Sequence, residues 1–204
     1  ELRAHLSQEA SRRGIDAVDL IGPLLGKLSD HLGQRPVERP GTRVALDAAY
    51  FRRIDALEFA VKTDDGQSPR LLGRADIVLV GVSRTSKTPV ATFLAGQGLR
   101  VANVPIVKGV ALPHELRSLP PGRVIALSID THALLRIRQA RVAQLGLGAE
   151  GAYADRDEVN AEVRWALDLY EALGWPVVEV THLAVEETAA EVLKVHTHAN
   201  AARM

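Results

Sequence analysis

The sequence predicts an α/β protein: a parallel sheet with crossover helices and a phosphate-binding loop, preceded by a helical N-terminal segment. Three observations carry this expectation. From Asp76 onward, short β-branched runs alternate with helical ones, which is how a parallel sheet with crossover helices is written in sequence. The apolar run Ile77-Val78-Leu79-Val80 leads directly into Gly81-Val82-Ser83-Arg84-Thr85-Ser86-Lys87-Thr88 and then into a helical pattern. That octapeptide meets every position of the P-loop pattern G-x-x-x-x-G-K-[ST] except the second glycine, where Ser86 stands.

In chain order, residues 1–35 carry two helical patterns. The second places Leu20, Leu24, Leu28 and Leu32 at steps of four and ends at Gly33. Residues 36–41 read as a linker. Asp47 is placed to cap a third helix with an apolar stripe of Tyr50, Ile54, Leu57 and Val61, and Asp64-Asp65-Gly66 is the turn that stops it. Strands are expected at 76–80, 100–106, 123–129 and 176–181. Helices are expected at 88–97, 131–145, 156–173 and 185–196. Asp155 with Glu158 resembles a capping box, and Gly146 and Gly174 stand where helix C-termini favour glycine. Residues 1–43 are therefore expected to be the helical remnant of an N-terminal region, and 44–204 a P-loop α/β nucleotide-binding catalytic domain. The first residue is Glu1, inside a helical pattern, so an upstream segment is expected to have been removed.

Composition narrows the function. Of 204 residues, 47% are hydrophobic, enough for a buried core. Lys plus Arg and Asp plus Glu number 25 each, so no net field exists to hold a nucleic acid or an anionic membrane, and phosphate recognition must be local. The absence of cysteine excludes disulfides, thiolate–zinc sites and a cysteine nucleophile. No run is long enough to span a bilayer and no signal peptide is recognisable. The expectation is a soluble, cytoplasmic protein.

A P-loop wraps an anion with backbone N–H groups and a helix N-terminus, while its Lys and hydroxyl reach the phosphate and its metal. Lys87 is thus expected to neutralise the transferring phosphate, and Thr88 to ligate Mg²⁺. Ser83 and Thr85 add donors. Ser86 makes a left-handed backbone costlier than glycine would, so a variant loop geometry is expected. Arg84 reads equally as a stabiliser of charge on the equatorial oxygens or as a solvent-facing loop residue. Asp64 and Asp65 are either a plain turn or carboxylates suited to act as base or metal ligand. Asp130 ends an apolar strand, as a magnesium-holding Asp would, but capping of the next helix is the simpler role. His196 and His198 lie off the spacing of one helical face and are not expected to be ligands. Trp165, Trp175 and Tyr170 read as packing residues.

The string from Ala75 to Pro89 resembles the P-loop region of the pyruvate, phosphate dikinase regulatory proteins. So, in the same order, do the segment from Tyr50 to Val61, Asp64-Asp65-Gly66, Val101-Ala102-Asn103-Val104-Pro105 and Glu186-Glu187-Thr188-Ala189-Ala190. The resemblance implies a bifunctional enzyme. It would use ADP to phosphorylate a threonine of the dikinase, and inorganic phosphate to remove that group with release of pyrophosphate. Gly81, Val82, Ser83, Arg84, Thr85, Ser86, Lys87 and Thr88 would then bind ADP, with Lys87, Arg84, Asp64 and Asp65 catalytic and Thr88 on Mg²⁺. The sister group acting on phosphoenolpyruvate synthase tends to have Gly before the Lys, so Ser86 points to the dikinase branch. Two features depart from the family: its N-terminal Gly- and Thr-containing motif is absent, and Val44 stands where a His is expected. The competing readings are a small-molecule ATP-dependent P-loop kinase and a nucleotide-sensing module without catalysis. The dikinase is the expected partner, and a homodimer the assembly kept open.

Overall fold

The computed structural model describes residues 2–35, 47–146 and 152–201. The chain divides into two compact units, Glu1–Ala45 and Leu46–Met204. The expected linker and Val44 lie outside the described residues.

The first unit holds α1 (Leu2–Arg12) and α2 (Gly22–Leu32). Helix α2 has Pro23 in its first turn, where a missing N–H costs nothing, and it ends on Gly33 at φ 63°, a left-handed angle that glycine adopts without a Cβ penalty. The Leu row Leu20, Leu24, Leu28 and Leu32 is exposed.

The second unit comprises α3 (Ala48–Lys62), β1 (Ile77–Gly81), α4 (Lys87–Gly96), β2 (Val101–Pro105), the short α5 (His114–Arg117), β3 (Val124–Ser128), α6 (Thr131–Gln144), α7 (Arg156–Ala172), β4 (Val177–Glu179) and α8 (Val185–Ala201). Short 3-10 turns at Asp64–Gly66, Pro69–Arg74, Pro121–Arg123 and Ala152–Ala154 complete it. All pairings are parallel and the strand order is β2-β1-β3-β4. Every residue of β1 and β3 is buried, as expected of strands covered on both faces. The chain leaves β1 for β2 on one side and β3 for β4 on the other. Right-handed crossovers running in opposite directions put their helices on opposite faces. The packed pair α4 and α8 therefore covers one face, and the packed pair α6 and α7 the other. The reversal falls between β1 and β3, so a crevice opens beyond their carboxyl ends, the usual ligand position of such sheets.

Two expectations need correction. The fourth strand is Val177–Glu179 rather than 176–181, because it is an edge strand paired only with β3 and buried only at Val178. The buried face of α3 is Ala56, Phe59 and Ala60, while Ile54 and Val61 are exposed and Leu57 only half-buried. Ala56 and Ala60 cluster with Ala95 of α4; small side chains let two helices approach closely, and that selects the alanine face over the bulkier aliphatic one. Elsewhere the caps form as expected. Asp47 accepts from Tyr50 N, Asp155 accepts from Asp157 N and Glu158 N, and Gly146 and Gly174 adopt φ 64°. Helix α8 runs past residue 196 to Ala201. Among the described residues, no helix is long and apolar enough to cross a membrane.

Candidate active site

The loop after β1 is placed by Gly81. A Cβ there would stand 2.6 Å from Thr85 Oγ1 and 2.8 Å from the Leu127 carbonyl oxygen, so only glycine lets the loop fold back over β3. Buried Thr85 donates to Val82 O at 3.0 Å, closing the turn from within. Arg84 (φ 74°) and Ser86 (φ 61°) both adopt left-handed backbone angles. Ser86 thus takes the conformation a glycine would supply, at a cost of about 1–2 kcal/mol. It forms the N-cap position of α4 and brings Lys87 and Thr88 into the first turn. Strain of this kind persists where the surroundings over-determine it, and two of the four non-glycine residues at positive φ among the described residues stand in this loop.

A cleft of about 620 Å³ opens over this loop. It is lined by Asp65, by every residue from Ser83 to Thr88, and by Pro89, Pro105 and Ile137. Lys87 is only 6% exposed and donates from Nζ to Val82 O at 2.9 Å. Burial pushes its amine down to about 8, with Asp65 and Asp64 pulling in the opposite direction. It is a cation held in the wall of a cleft, within electrostatic reach of two carboxylates.

Those carboxylates arrive on the 3-10 turn Asp64–Gly66, where Asp65 itself has φ 48°. Their placement depends on Asn103, a buried polar residue in the otherwise apolar β2. Its Oδ1 accepts from Asp65 N at 3.0 Å, and its Nδ2 donates to Asp64 Oδ1 and, at 3.3 Å, to Thr88 Oγ1. Thr88 Oγ1 in turn donates to Asp64 Oδ1 at 2.9 Å. Asp64, Thr88 and Asn103 thus form one hydrogen-bonded cluster, with Asp65 at the cleft beside it. The hydroxyl–carboxylate pair is a set of hard oxygens that fits Mg²⁺.

A second cluster is bonded to the loop at Ser83 and Arg84. Arg138 of α6 is 2% exposed. It donates to Glu162 of α7 at 2.6 Å, to Tyr153 O at 3.2 Å and to Ser83 O at 3.3 Å, and its guanidinium lies 4.7 Å from the Tyr153 ring centroid. The Tyr153 hydroxyl accepts from Arg84 Nε at 3.1 Å and lies 3.4 Å from Ser83 Oγ. Partial burial raises the phenol's pKa, but bonds from Ser83 and Arg84 and the charges of Arg84 and Arg138 outweigh it, so the net direction is down.

The structure therefore brings together Lys87, Thr88, Asp64, Asp65 and Arg84. Asp130 stays apart from the cleft's lining: its side chain accepts from Ala133 N at 3.0 Å and caps α6, and that bond, ahead of its other causes, holds the carboxyl below the usual range. His196 Nδ1 lies 3.3 Å from Gly122 O and His198 Nδ1 lies 2.7 Å from Lys194 O. Among the described residues no group of three or more His, Cys, Asp or Glu could hold a metal. Tyr170 and Trp175 are core residues with ring centroids 6.3 Å apart. The residues that sequence reasoning missed as site members are Asn103, Tyr153, Arg138 and Glu162. An Asn among the apolar residues of a strand was a legible signal; nothing local marked the other three.

A parallel α/β sheet with a strained, lysine- and threonine-bearing loop beside two carboxylates defines a phosphotransferase-like architecture, and the comparisons agree: the chain belongs to the kinase/pyrophosphorylase family, whose pattern matches residues 1–193. A relative from Sorangium cellulosum is 50% identical over 195 residues, covering 95% of this chain and 69% of its own. One from Geobacter sulfurreducens is 47% identical over 195 residues, covering 95% and 72%. One from a Geobacillus species is 46% identical over 194 residues, covering 95% and 73%. All three carry the name pyruvate, phosphate dikinase regulatory protein.

Proposed function

We propose that this chain is a bifunctional regulator of pyruvate, phosphate dikinase that phosphorylates a threonine of that enzyme from ADP and removes the phosphate by phosphorolysis. The observation that carries this reading is the cleft over the 81–88 loop, lined by buried Lys87 and by Asp65, with Asp64 bonded to Thr88 beside it. Family membership supports kinase-type chemistry, and the names of the relatives supply the target.

In the forward direction the threonine oxygen attacks the β-phosphorus of ADP, the bond to the oxygen of AMP breaks, and the hydroxyl proton passes to a carboxylate. Asp65, at the cleft, is the base in this reading. Asp64, oriented by Asn103, joins Thr88 as the Mg²⁺-holding pair. A Mg²⁺ held by that pair would supply neutralisation of phosphate charge. Lys87 carries the positive charge opposite the transferring group, and Arg84 meets the equatorial oxygens. In the reverse direction an oxygen of inorganic phosphate attacks the phosphothreonine phosphorus, the threonine oxygen leaves and takes up a proton, and pyrophosphate is released. One loop serves both directions, because each reaction holds a multiply charged phosphate beside the same hydroxyl.

The test is phosphate transfer to purified dikinase with ADP or ATP at matched Mg²⁺, followed by pyrophosphate release from the phosphorylated product. ADP is expected to be the productive donor, and dephosphorylation to require phosphate. Faster transfer from ATP, or undiminished dephosphorylation in phosphate-free buffer, would overturn the reading.

A further inference from the structure

We propose that Tyr153 is a positioning residue for phosphoryl transfer: its hydroxyl holds Arg84 by Nε and so presents the terminal amino groups of that guanidinium to the transferring phosphate. The inference rests on the reading of the 81–88 loop as the phosphate site.

Arg84 is exposed and stands on a left-handed turn of the loop. An Arg side chain carries about 2 kcal/mol of rotamer entropy, so an untethered one would be poorly placed to meet charge that develops only in the transition state. The bond from Nε to the Tyr153 hydroxyl removes part of that freedom. It engages one edge of the guanidinium only. Among the described residues the two terminal amino groups have no hydrogen-bond partner, and they form the fork that suits phosphate oxygens.

Tyr153 is itself held, 69 residues away in sequence from the Arg it contacts. Arg138 binds its backbone carbonyl and lies over its ring, and the same guanidinium binds the Ser83 carbonyl one residue before Arg84. The loop and the tyrosine are thus fixed to one buried cation, which is paired in turn with Glu162. Burying a charge is costly unless it is paired and hydrogen-bonded. The Nε of Arg138 is buried with no partner, so this cluster is not optimised as a stability device. What it does achieve is a fixed distance between Tyr153 and the loop.

A double-mutant cycle tests this on the full chain, with dikinase phosphorylation from ADP as the assay. Tyr153→Phe keeps the ring beneath Arg138 and removes only the hydroxyl. It is expected to lower kcat roughly tenfold, the scale of one hydrogen bond to a charged group, with KM for ADP and the melting temperature unchanged. Arg84→Ala is expected to lower kcat at least as much. In the Arg84→Ala background Tyr153→Phe should have no further effect, because residues that act through one another are not additive. A wild-type kcat in Tyr153→Phe, full activity in Arg84→Ala, or the same tenfold loss in both backgrounds would overturn the assignment. Lys87→Ala separates this from failure of the underlying reading. If it retains ADP affinity and activity, the loop is not the phosphate site; if it loses them while Tyr153→Phe does not, only the role of Tyr153 falls.

Discussion

Lys87 shows how a single residue is tuned by its surroundings. The fold buries its amine, and burial outweighs the two nearby carboxylates, so the group titrates near 8 rather than at the ordinary 10.5. Between those values the unfolded chain binds more protons than the native one. The contribution of this group to stability therefore rises with pH across that window. On the proposed reading a phosphate bound at Lys87 would favour the ammonium, so above pH 8 ADP binding would draw a proton onto it. ADP affinity is expected to fall by about tenfold per pH unit above that point. Calorimetry at pH 9 in two buffers of different ionisation enthalpy should record net proton uptake, and Lys87→Arg, which stays charged, should abolish it. Binding without proton uptake in the unmodified chain would mean that the amine is not a phosphate ligand.

At the scale of elements, the site is a junction between a strand, a loop and a helix, and its tolerance is set by backbone approach. Gly81 has no room for a methyl group, since the obstacles include the Leu127 carbonyl of β3. Gly96, at the end of α4, has nothing within 4 Å of the corresponding position. Gly81→Ala is therefore expected to cost about 1–3 kcal/mol by overpacking and to lift the loop from the sheet. Gly96→Ala should instead be neutral or stabilising by up to about 0.5 kcal/mol, since Gly96 is the last residue of α4 and the larger glycine penalty belongs to helix interiors. Urea denaturation of both variants checks the contrast. Equal midpoints would show that the loop is not seated as described. The same logic explains α3, where close approach to α4 chose alanines for the interface and left Ile54 and Val61 outside.

At the scale of the whole molecule, the sheet order puts the reversal of chain direction between β1 and β3, and the cleft is lined by the loop that follows β1, by Pro105 at the carboxyl end of β2 and by Ile137 of α6. A ligand that binds only the folded state there must stabilise it. ADP with Mg²⁺ at a hundred times its dissociation constant should add about 2.7 kcal/mol, and for a domain of this size raise the melting temperature by roughly 5–10 °C. Lys87→Ala should lose that shift while remaining folded by circular dichroism. An unmodified chain whose melting temperature ignores saturating ADP would contradict nucleotide binding at this cleft.

The sequence by itself determined the class of fold, the order of strands and helices along the chain, and the loop with its Lys and Thr. These are local matters: periodicity, capping and the spacing of a strand–loop–helix unit are written in contiguous residues. The capping role of Asp130 was legible for the same reason. Tertiary structure decided which strands are neighbours, which face of α3 is buried, that Asp65 lines one cleft with Lys87, and that Asp64 bonds Thr88 beside it. It also decided what surrounds them. Asn103 meets Asp64 from 39 residues away and Tyr153 meets Arg84 from 69. Such contacts depend on packing geometry between distant segments: a lone Asn in an apolar strand marks Asn103 locally, but no local pattern of residues names its partners, and none marks Tyr153.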